Sequence, residues 1–315
     1  MPTRLINGEV WTDERGEPIH AHGGHMLAYE GWYYWYGEDR KEDRYVSCYR
    51  SNDLFHWEFR SSILTINTLA EPIRIRTELR LSNEDGSRIN LERPKVLYNE
   101  QTHKFVLWVH YENGQDYRAA ACAIATSDRP DEGFTYHGSF NPYGYMSRDC
   151  TLFQGDDGQA YFISAARDNA DLHIYRLADD YLNVDCLVHK LWQGEYREAP
   201  AVFRRGERLY MLTSFCTGWA PNQGKYAAAS SMEGRWSLLE DFGDETTFGT
   251  QPAFVLKRSE DEFLYVSDRW NAEVYDRSGY VMLPIEFEGE VPRLRNAAIV
   301  VPDSGGGKIG FREQE

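Results

Sequence analysis

One pattern recurs five times along the 315 residues: a polar turn, a short aromatic or β-branched segment, a second such segment and a polar exit. The first segments are Trp32–Gly37, Lys104–His110, Gln159–Ser164, Arg208–Thr213 and Glu262–Ser267, and their partners are Tyr45–Tyr49, Ala119–Ala125, Leu172–Tyr175, Tyr226–Ser230 and Tyr280–Leu283. The turns are rich in Gly, Asp, Glu or Asn, and the segments lack helical periodicity. A repeat of about 50 residues built from strands predicts the blades of a β-propeller.

We therefore predict an all-β fold, a five-bladed β-propeller. Successive repeats lie 72, 56, 48 and 54 residues apart, and the longest interval predicts a loop-like insertion at about Leu64 to Arg88 that shapes the rim. No hinge rich in Pro or Ser separates the repeats, so residues 1–302 are interpreted as a single catalytic domain and 303–315 as a flexible C-terminal tail. A two-sheet sandwich explains the strand content equally well, but not the matched order of the five units.

The charge balance restricts the class of ligand. There are 34 Lys and Arg against 50 Asp and Glu, a net charge of −16. Nucleic acid and anionic membrane are not expected as partners, because phosphates require a basic face. The 14% aromatic content, with 21 Tyr and 9 Trp, is consistent with surfaces on which sugars stack, although these residues also pack well in sheets. We expect a monomer that binds a neutral ligand.

Five cysteines at wide spacing predict free thiols in a reducing compartment. The first residues contain no apolar signal-peptide core, and no 18-residue apolar run occurs in the sequence. As written, the sequence therefore predicts a cytoplasmic protein; removal of a signal peptide would make it secreted or periplasmic.

Polar residues recur just before or within the strand expected to lie innermost in each blade. In isolation, Arg197-Glu198 before Ala-Pro is typical of an exposed ion pair at the start of a strand. However, Glu92, Asp149 and Gln251 occupy matching places in other blades, and innermost strands converge on the propeller axis. We therefore expect these four side chains to meet. Paired carboxylates that flank an acetal are the usual arrangement for glycoside hydrolysis.

Other chemistries fit the sequence less well. His20, His22 and His25 have the spacing of metal ligands, but strand alternation would place His25 on the opposite face from the other two. The sequence contains no nucleophile elbow, no phosphate-binding loop and no dinucleotide fingerprint. We expect no cofactor.

A set of short motifs in a fixed order resembles glycoside hydrolase family 43, most closely its exo-β-1,3-galactanase branch (subfamily 24). The motifs are Ala21-His22-Gly23-Gly24, Tyr33–Glu38, Ser51–Trp57, Glu92-Arg93-Pro94-Lys95-Val96, Ser147-Arg148-Asp149, Arg197-Glu198-Ala199-Pro200, Thr217-Gly218-Trp219 and Asp268-Arg269-Trp270-Asn271. The resemblance extends from about residue 18 to 287. It implies a five-bladed propeller and inversion at the anomeric carbon.

The resemblance also implies roles for individual residues. Most of the family takes its general base from an Asp in blade one, where this sequence reads Ile19-His20-Ala21-His22. In the galactanase branch a blade-five glutamine is thought to hold the attacking water, with an imidic acid tautomer as one suggested form, and Gln251 matches it. Glu198 would be the general acid, and Glu92, which would contact the terminal galactose and tune the acid, completes the catalytic set. The further substrate contacts are Asp149, Tyr117, Asn169, Thr217, His22, Glu38 and Trp219.

From this resemblance we expect an inverting exo-glycoside hydrolase that releases galactose from β-1,3-galactan or from arabinogalactan-derived oligosaccharides. Two alternatives remain open: a non-catalytic galactan-binding propeller, and an ordinary family-43 α-L-arabinofuranosidase or β-xylosidase. The missing blade-one acid motivates the first and counts against the second. The family also allows a structural calcium or sodium ion in the propeller axis, which nothing in the sequence demands.

Overall fold

The regular structure of the protein consists almost entirely of β-strands. A computed structural model describes residues 4–73, 76, 78–302 and 308–313. The helices in these ranges are two short 3-10 turns, Pro142–Gly144 and Tyr275–Arg277. In the same ranges, no helix is long and apolar enough to cross a membrane. The predicted all-β class is therefore correct.

The strands form antiparallel sheets arranged as blades. Strand β1 is Leu5–Ile6. Blade one contains β2 (His22–Tyr29), β3 (Trp32–Glu38), β4 (Arg44–Ser51) and β5 (Glu58–Thr65). Blade two contains β6 (Asn90–Asn99), β7 (Lys104–Glu112), β8 (Ala121–Ser127) and β9 (Thr135–Phe140). Blade three contains β10 (Cys150–Gln154), β11 (Ala160–Ala166), β12 (Asp171–Leu177) and β13 (Val184–Leu191). Blade four contains β14 (Arg197–Arg205), β15 (Arg208–Phe215), β16 (Gly224–Ala229) and β17 (Glu240–Phe242), and blade five contains β18 (Gln251–Ser259), β19 (Glu262–Arg269), β20 (Gly279–Glu288) and β21 (Val291–Leu294). The ten segments predicted from the repeat each overlap β3, β7, β11, β15 or β19, or the strand that follows it.

The predicted number of blades is wrong, because the described residues form six blades and not five. The sixth has three strands: β1 pairs with β22 (Ile299–Pro302), which pairs with β23 (Ile309–Arg312). Its strands come from opposite ends of the chain, so it leaves no repeat in the sequence. Strand β23 lies in the segment that was interpreted as a tail, of which residues 303–307, 314 and 315 are outside the described residues.

The sixth blade packs against blade five through a close backbone approach. The amide of Gly8 donates to the carbonyl of Tyr280, and the Tyr280 amide donates to Glu9. Gly279 makes this approach feasible, because a Cβ at that position would lie 2.1 Å from the carbonyl oxygen of Gly8. These bonds fix the N-terminal segment to β20 of blade five.

Large aromatic side chains fill the spaces between neighbouring blades. Trp108 of blade two packs on Phe162 of blade three with ring centroids 4.6 Å apart. Phe203 of blade four lies 5.4 Å from Phe263 of blade five. Aromatic residues favour strands and bury much apolar area, so the same segments supply both the blades and the packing between them.

The innermost strands β2, β6, β10, β14 and β18 contact one another in sequence around the axis. Four of them contain a β-bulge near their beginning, located at His22/His25, Glu92/Lys95, Glu198/Ala201 and Pro252/Phe254. A bulge inserts one extra residue and redirects the neighbouring side chain, and it tolerates proline because ladder pairing is interrupted there. Glu92, Glu198 and Gln251 stand at or next to three of these bulges and line the axial cavity, and the interrupted pairing accommodates the proline that follows each of them.

The insertion between blades one and two lies away from the axis. Between Thr65 and Asn90 the described residues form isolated bridges only, and Ala70 and Glu78 bridge to Tyr136 and Ser139 of blade two. Residues 74, 75 and 77 of this predicted loop are outside the described residues. The described part contacts the outer edge of blade two and contributes no side chain to the axial cavity.

Candidate active site

A cavity of about 320 Å³ opens at the end of the axis where the innermost strands begin. This is the lower end of the size range for ligand pockets, about 300–1,000 Å³. Of the ten residues predicted to form the site, eight line it: Glu38, Glu92, Tyr117, Asp149, Asn169, Glu198, Trp219 and Gln251. Glu198, only 7% exposed, is therefore a cavity residue, and the surface ion pair expected from Arg197-Glu198 alone does not form.

Glu198 accepts hydrogen bonds from two neutral amides. Gln251 donates from Nε2 to Oε1, and Asn169 donates from Nδ2 to Oε2, both at 3.0 Å. Its sequence neighbour Arg197 is directed elsewhere and binds the Thr213 hydroxyl and carbonyl at 3.0 and 2.8 Å. Burial, with the nearby negative charge of Asp149, raises the pKa of Glu198 to about 7. A substantial fraction of Glu198 therefore carries a proton near neutral pH.

The other three carboxylates of the cavity are paired with cations. Arg40 lies 3.1 Å from Glu38 and 3.0 Å from Glu92. Asp149 lies 3.1 Å from the guanidinium of Arg93. Within the described ranges, Glu198 has no such partner. This difference in environment separates Glu198 from the three carboxyl groups of the cavity that have a cationic partner.

Glu92 is held in the ionised form. Its Oε1 accepts from Arg40 and from the Tyr117 hydroxyl, both at 3.0 Å, and His110 Nδ1 lies 3.4 Å from Oε2. Burial opposes ionisation, but contact with His110, followed by Arg40 and Tyr117, lowers the pKa of Glu92 to about 2. Glu92 is thus a permanent negative charge that can accept hydrogen bonds from sugar hydroxyls.

The carboxamide of Gln251 has a partner at each polar position. Nε2 donates to Glu198 and to the Ser214 hydroxyl at 3.0 Å. Oε1 accepts from the Arg93 guanidinium at 2.5 Å and from the Trp270 indole at 2.7 Å. Arginine and the indole N–H are donors only, so they determine which side of the amide carries the oxygen. Gln251 therefore presents its nitrogen to Glu198.

Asn169 is placed in the cavity by a strained turn. Arg167, Asp168 and Asn169 have φ of 53°, 56° and 63°, a left-handed run that side chains disfavour and that is typical of functional sites. The Asn169 side chain donates to Glu198 and to Cys216 Sγ at 3.1 Å. Its buried Oδ1 has no hydrogen-bond partner among the described residues. This oxygen is available to a ligand hydroxyl.

Two predicted site residues do not line the cavity. Thr217 is exposed, and its hydroxyl closes a turn by donating to the Ala220 carbonyl at 2.6 Å. His22 is buried below the cavity, where Nδ1 lies 2.9 Å from Asp268 Oδ1 and the ring stacks on Tyr280. His22 therefore supports the site without reaching it.

The histidines with metal-ligand spacing do not converge. His22 contacts Asp268, whereas His25 packs edge-on against Phe254 with centroids 5.7 Å apart. In the described part of the chain, no three His, Cys, Asp or Glu side chains come together as a metal site.

The cavity also contains residues to which the sequence analysis assigned no role in the site. They are Arg40, Arg93, His110, Arg148, Cys216, Gly218 and Trp270. One signal could have found His110: it lies opposite Glu92 in the β6–β7 pair, as Glu38 lies opposite His22 in β2–β3. A polar residue near the end of the second strand of a blade is thus a second recurrent position.

Comparisons with known proteins identify chains of similar sequence and fold. The sequence profile of Glycosyl hydrolases family 43 matches residues 96–241. An exo-β-1,3-galactanase from Clostridium thermocellum is 40% identical, with a TM-score of 0.89 over 98% of this chain and 69% of that one. An exo-β-1,3-galactanase variant from Phanerochaete chrysosporium, solved with β-1,3-galactotriose, is 32% identical and has a TM-score of 0.86. The match covers 98% of this chain and 70% of that one. A family-43 β-1,3-galactosidase solved with galactodeoxynojirimycin is 32% identical and has a TM-score of 0.82. The match covers 93% of this chain and 99% of that one. Curated protein sequences give no significant match.

Proposed function

Because the chain belongs to glycoside hydrolase family 43 and its structural neighbours include exo-β-1,3-galactanases, we propose that it is an inverting exo-β-1,3-galactanase that releases galactose from the end of the chain. The substrate would be β-1,3-galactan or its oligosaccharides. The observation that carries the proposal is the environment of Glu198, a buried carboxyl group bound by two neutral amides among carboxylates that are paired with cations.

Glu198 is the general acid of this reaction. Glycoside hydrolysis needs one protonated carboxyl group beside the glycosidic oxygen, and enzymes obtain it by raising the pKa of a buried acid. The raised pKa of Glu198, about 7, matches this need, whereas the pKa of Glu92, about 2, keeps that residue ionised. Glu198 donates its proton to the leaving oxygen as the bond to the anomeric carbon breaks.

Gln251 positions the attacking water. A neutral amide is a very weak base, so its contribution is orientation and electrostatics, which can be large in a preorganised site. The hydrogen bonds support the amide form, because an imidic acid would direct its O–H toward Arg93 and Trp270, neither of which can accept. Water attacks the anomeric carbon from the face opposite the leaving group, which inverts that carbon. The oxygen that has added then releases its extra proton to solvent, and Glu198 regains the proton that it gave to the leaving oxygen from solvent.

Substrate binding must separate Glu198 from Gln251. The acid and the water-activating group of inverting glycosidases lie about 6.5–9.5 Å apart, so that a water fits beside the sugar. In the free protein the two side chains are in direct contact at 3.0 Å. We expect the galactosyl unit to break this bond, and the freed Nε2–H to bind the water instead.

Glu92, Asp149 and Asn169 bind the terminal galactose. All three line the cavity together with Trp219, which is 37% exposed. A ring of charged and amide acceptors with one aromatic wall is suited to a neutral sugar with several hydroxyl groups. The narrow cavity admits one end of a chain, as exo action requires.

Time-resolved ¹H NMR at the start of β-1,3-galactotriose hydrolysis tests the proposal, because the leaving group is then galactobiose and free galactose comes only from the non-reducing end. The first galactose released should be the α-anomer, because the β-linkage is inverted, and mutarotation should follow. Initial release of β-galactose would contradict the inverting mechanism. Calorimetric binding of galactobiose without any release would identify a binding propeller, and turnover of nitrophenyl arabinoside or xyloside in preference to galactobiose would identify another family-43 activity.

A further inference from the structure

Behind Glu92 lies a second buried carboxylate, with a histidine between the two. His110 Nε2 lies 2.9 Å from Glu112 Oε1, and His110 Nδ1 lies 3.4 Å from Glu92 Oε2. His110 is 1% exposed and lines the cavity, whereas Glu112 is fully buried and does not reach it. The three side chains form a row that leads from the cavity into blade two.

Glu112 also fixes the loop that carries Tyr117. Its Oε2 accepts from the backbone amide of Ala120 at 3.0 Å, and Ala120 has a left-handed φ of 38°. This contact holds the end of the loop in a conformation that a residue with a side chain rarely adopts. Tyr117, three residues earlier, donates its hydroxyl to Glu92. One carboxylate therefore supports both His110 and the tyrosine that contact Glu92.

The charges around His110 favour the imidazolium. Glu112 lies on the same strand, Glu92 faces the ring from β6, Tyr117 covers it with ring centroids 6.1 Å apart, and the Cys150 thiol lies nearby on β10. Although burial opposes the charge, contacts with Glu112 and then Glu92 raise the pKa of His110 to about 9. The charged ring donates from Nε2 to Glu112, and its Nδ1 lies within ion-pair distance of Glu92 but makes no hydrogen bond to it.

We propose that His110 is a positioning residue that, held as an imidazolium by Glu112, fixes the orientation and charge of Glu92 for binding of the terminal galactose. The proposal rests on the function proposed above for the identity of the sugar. Glu112 acts through His110 and through the backbone at Ala120, without touching the substrate. Its loss should therefore weaken sugar binding more than it slows the chemical step.

The test is Glu112→Gln, with galactose binding measured by calorimetry at pH 6, 7 and 8. The amide cannot stabilise the imidazolium, so the pKa of His110 should fall toward the ordinary value of 6.5. From pH 6 to pH 8, the affinity of the variant for galactose should then fall, and this fall should be about tenfold larger than that of the wild type. Tenfold is about the effect expected for one interaction with a charged group. With β-1,3-galactobiose, KM should rise while kcat changes little.

Glu262→Gln is the matched control. Glu262 also accepts from a cation, Arg258, and from a backbone amide, that of Ile309, each at 3.1 Å, and it lies in blade five away from the axial cavity. This variant should keep the wild-type pH dependence and KM. A folded Glu112→Gln variant that behaves like the control would overturn the proposal.

A second measurement needs no variant. The protein has 9 histidines. Histidine-labelled wild-type protein should show by ¹⁵N NMR that the His110 ring, assigned through ring-to-backbone couplings, is doubly protonated at pH 8. A neutral ring at that pH would overturn the proposal even if Glu112→Gln does not fold. If the wild type releases no galactose, the proposed function is wrong. The protonation state of the His110 ring at pH 8 would still test whether Glu112 holds His110 as an imidazolium.

Discussion

The carboxamide of Gln251 donates a hydrogen bond of 3.0 Å to the carboxylate of Glu198, across the axis between blades four and five. Both residues stand immediately before or within a bulge of an innermost strand, which directs their side chains inward. The contact joins the group proposed to supply a proton with the group proposed to hold water. A change at Gln251 should therefore alter the titration of Glu198.

Replacement of Glu198 by glutamine should abolish turnover and preserve binding. Glutamine fills the same space but carries no transferable proton, and general acid catalysis contributes roughly 10²–10⁴-fold. We expect kcat on β-1,3-galactobiose to fall by at least that factor, while calorimetry still detects β-1,3-galactotriose. Near wild-type turnover in this variant would refute the assignment of Glu198 as the acid.

The pH dependence of activity should reflect the raised pKa of Glu198. The acid works only when protonated, and the pKa of about 7 places the protonated form below neutral pH. We expect kcat/KM for galactobiose to stay high below pH 7 and to decline above it by about tenfold per pH unit, as loss of one proton requires. Initial rates between pH 4 and 9 check this. A decline centred near pH 4.5, the ordinary value for glutamate, would contradict the proposed environment.

Replacement of Gln251 by glutamate should move the alkaline limit of activity upward. The new carboxylate would lie beside Glu198, held ionised by Arg93 and Trp270, and a neighbouring negative charge raises the pKa of an acid. We expect the alkaline limb of kcat/KM to shift to higher pH, with a lower maximum because the amide donors are lost.

Gln101→Glu is the control for added charge, since Gln101 is exposed at the turn between β6 and β7. It should leave the pH profile of the wild type unchanged. An unshifted limb in Gln251→Glu would mean that residue 251 does not contact the acid in solution.

The place of Glu198 and Gln251 in the cavity could be predicted from the sequence because both belong to a repeat. Glu92, Glu198 and Gln251 share a pattern of a polar residue followed at once, or after one residue, by proline, and a repeated place in a propeller must converge on the axis. Arg93 and His110 could not be assigned in this way. Their roles depend on the bulge beside Glu92 and on pairing across β6 and β7, which are properties of the backbone and not of residue type.

The number of blades could not be read from the repeat for a related reason. Strand periodicity reports only strands that follow one another in the chain, whereas the sixth blade joins Leu5–Ile6 to strands near the other terminus. Its segments are short and lack the aromatic pattern of the other blades. The interpretation of residues 303–315 as a tail followed from their glycines and missed the strand Ile309–Arg312.

Asn7, which follows β1 of the sixth blade, should stabilise the fold. Its side chain donates to the carbonyls of Met282 and Ala297 at 2.9 Å and accepts from the Met282 amide at 2.8 Å. Asn7→Ala leaves these backbone groups unpaired, which should lower the free energy of unfolding by about 2–4 kcal/mol. For a chain of this size that corresponds to a fall in Tm of roughly 3–6 °C.

Thermal unfolding followed by circular dichroism measures this change in Tm. Asn67→Ala is the control, because Asn67 is exposed and its side chain makes a long contact of 3.4 Å to Asp43. The control should unfold like the wild type. Asn7 lies outside the cavity, so kcat/KM at 25 °C should be unchanged in both variants. An Asn7→Ala protein with wild-type Tm would show that the N-terminal segment does not help to stabilise blade five. A lower Tm with unchanged kcat/KM would show that these contacts stabilise the fold without affecting the reaction at the axis.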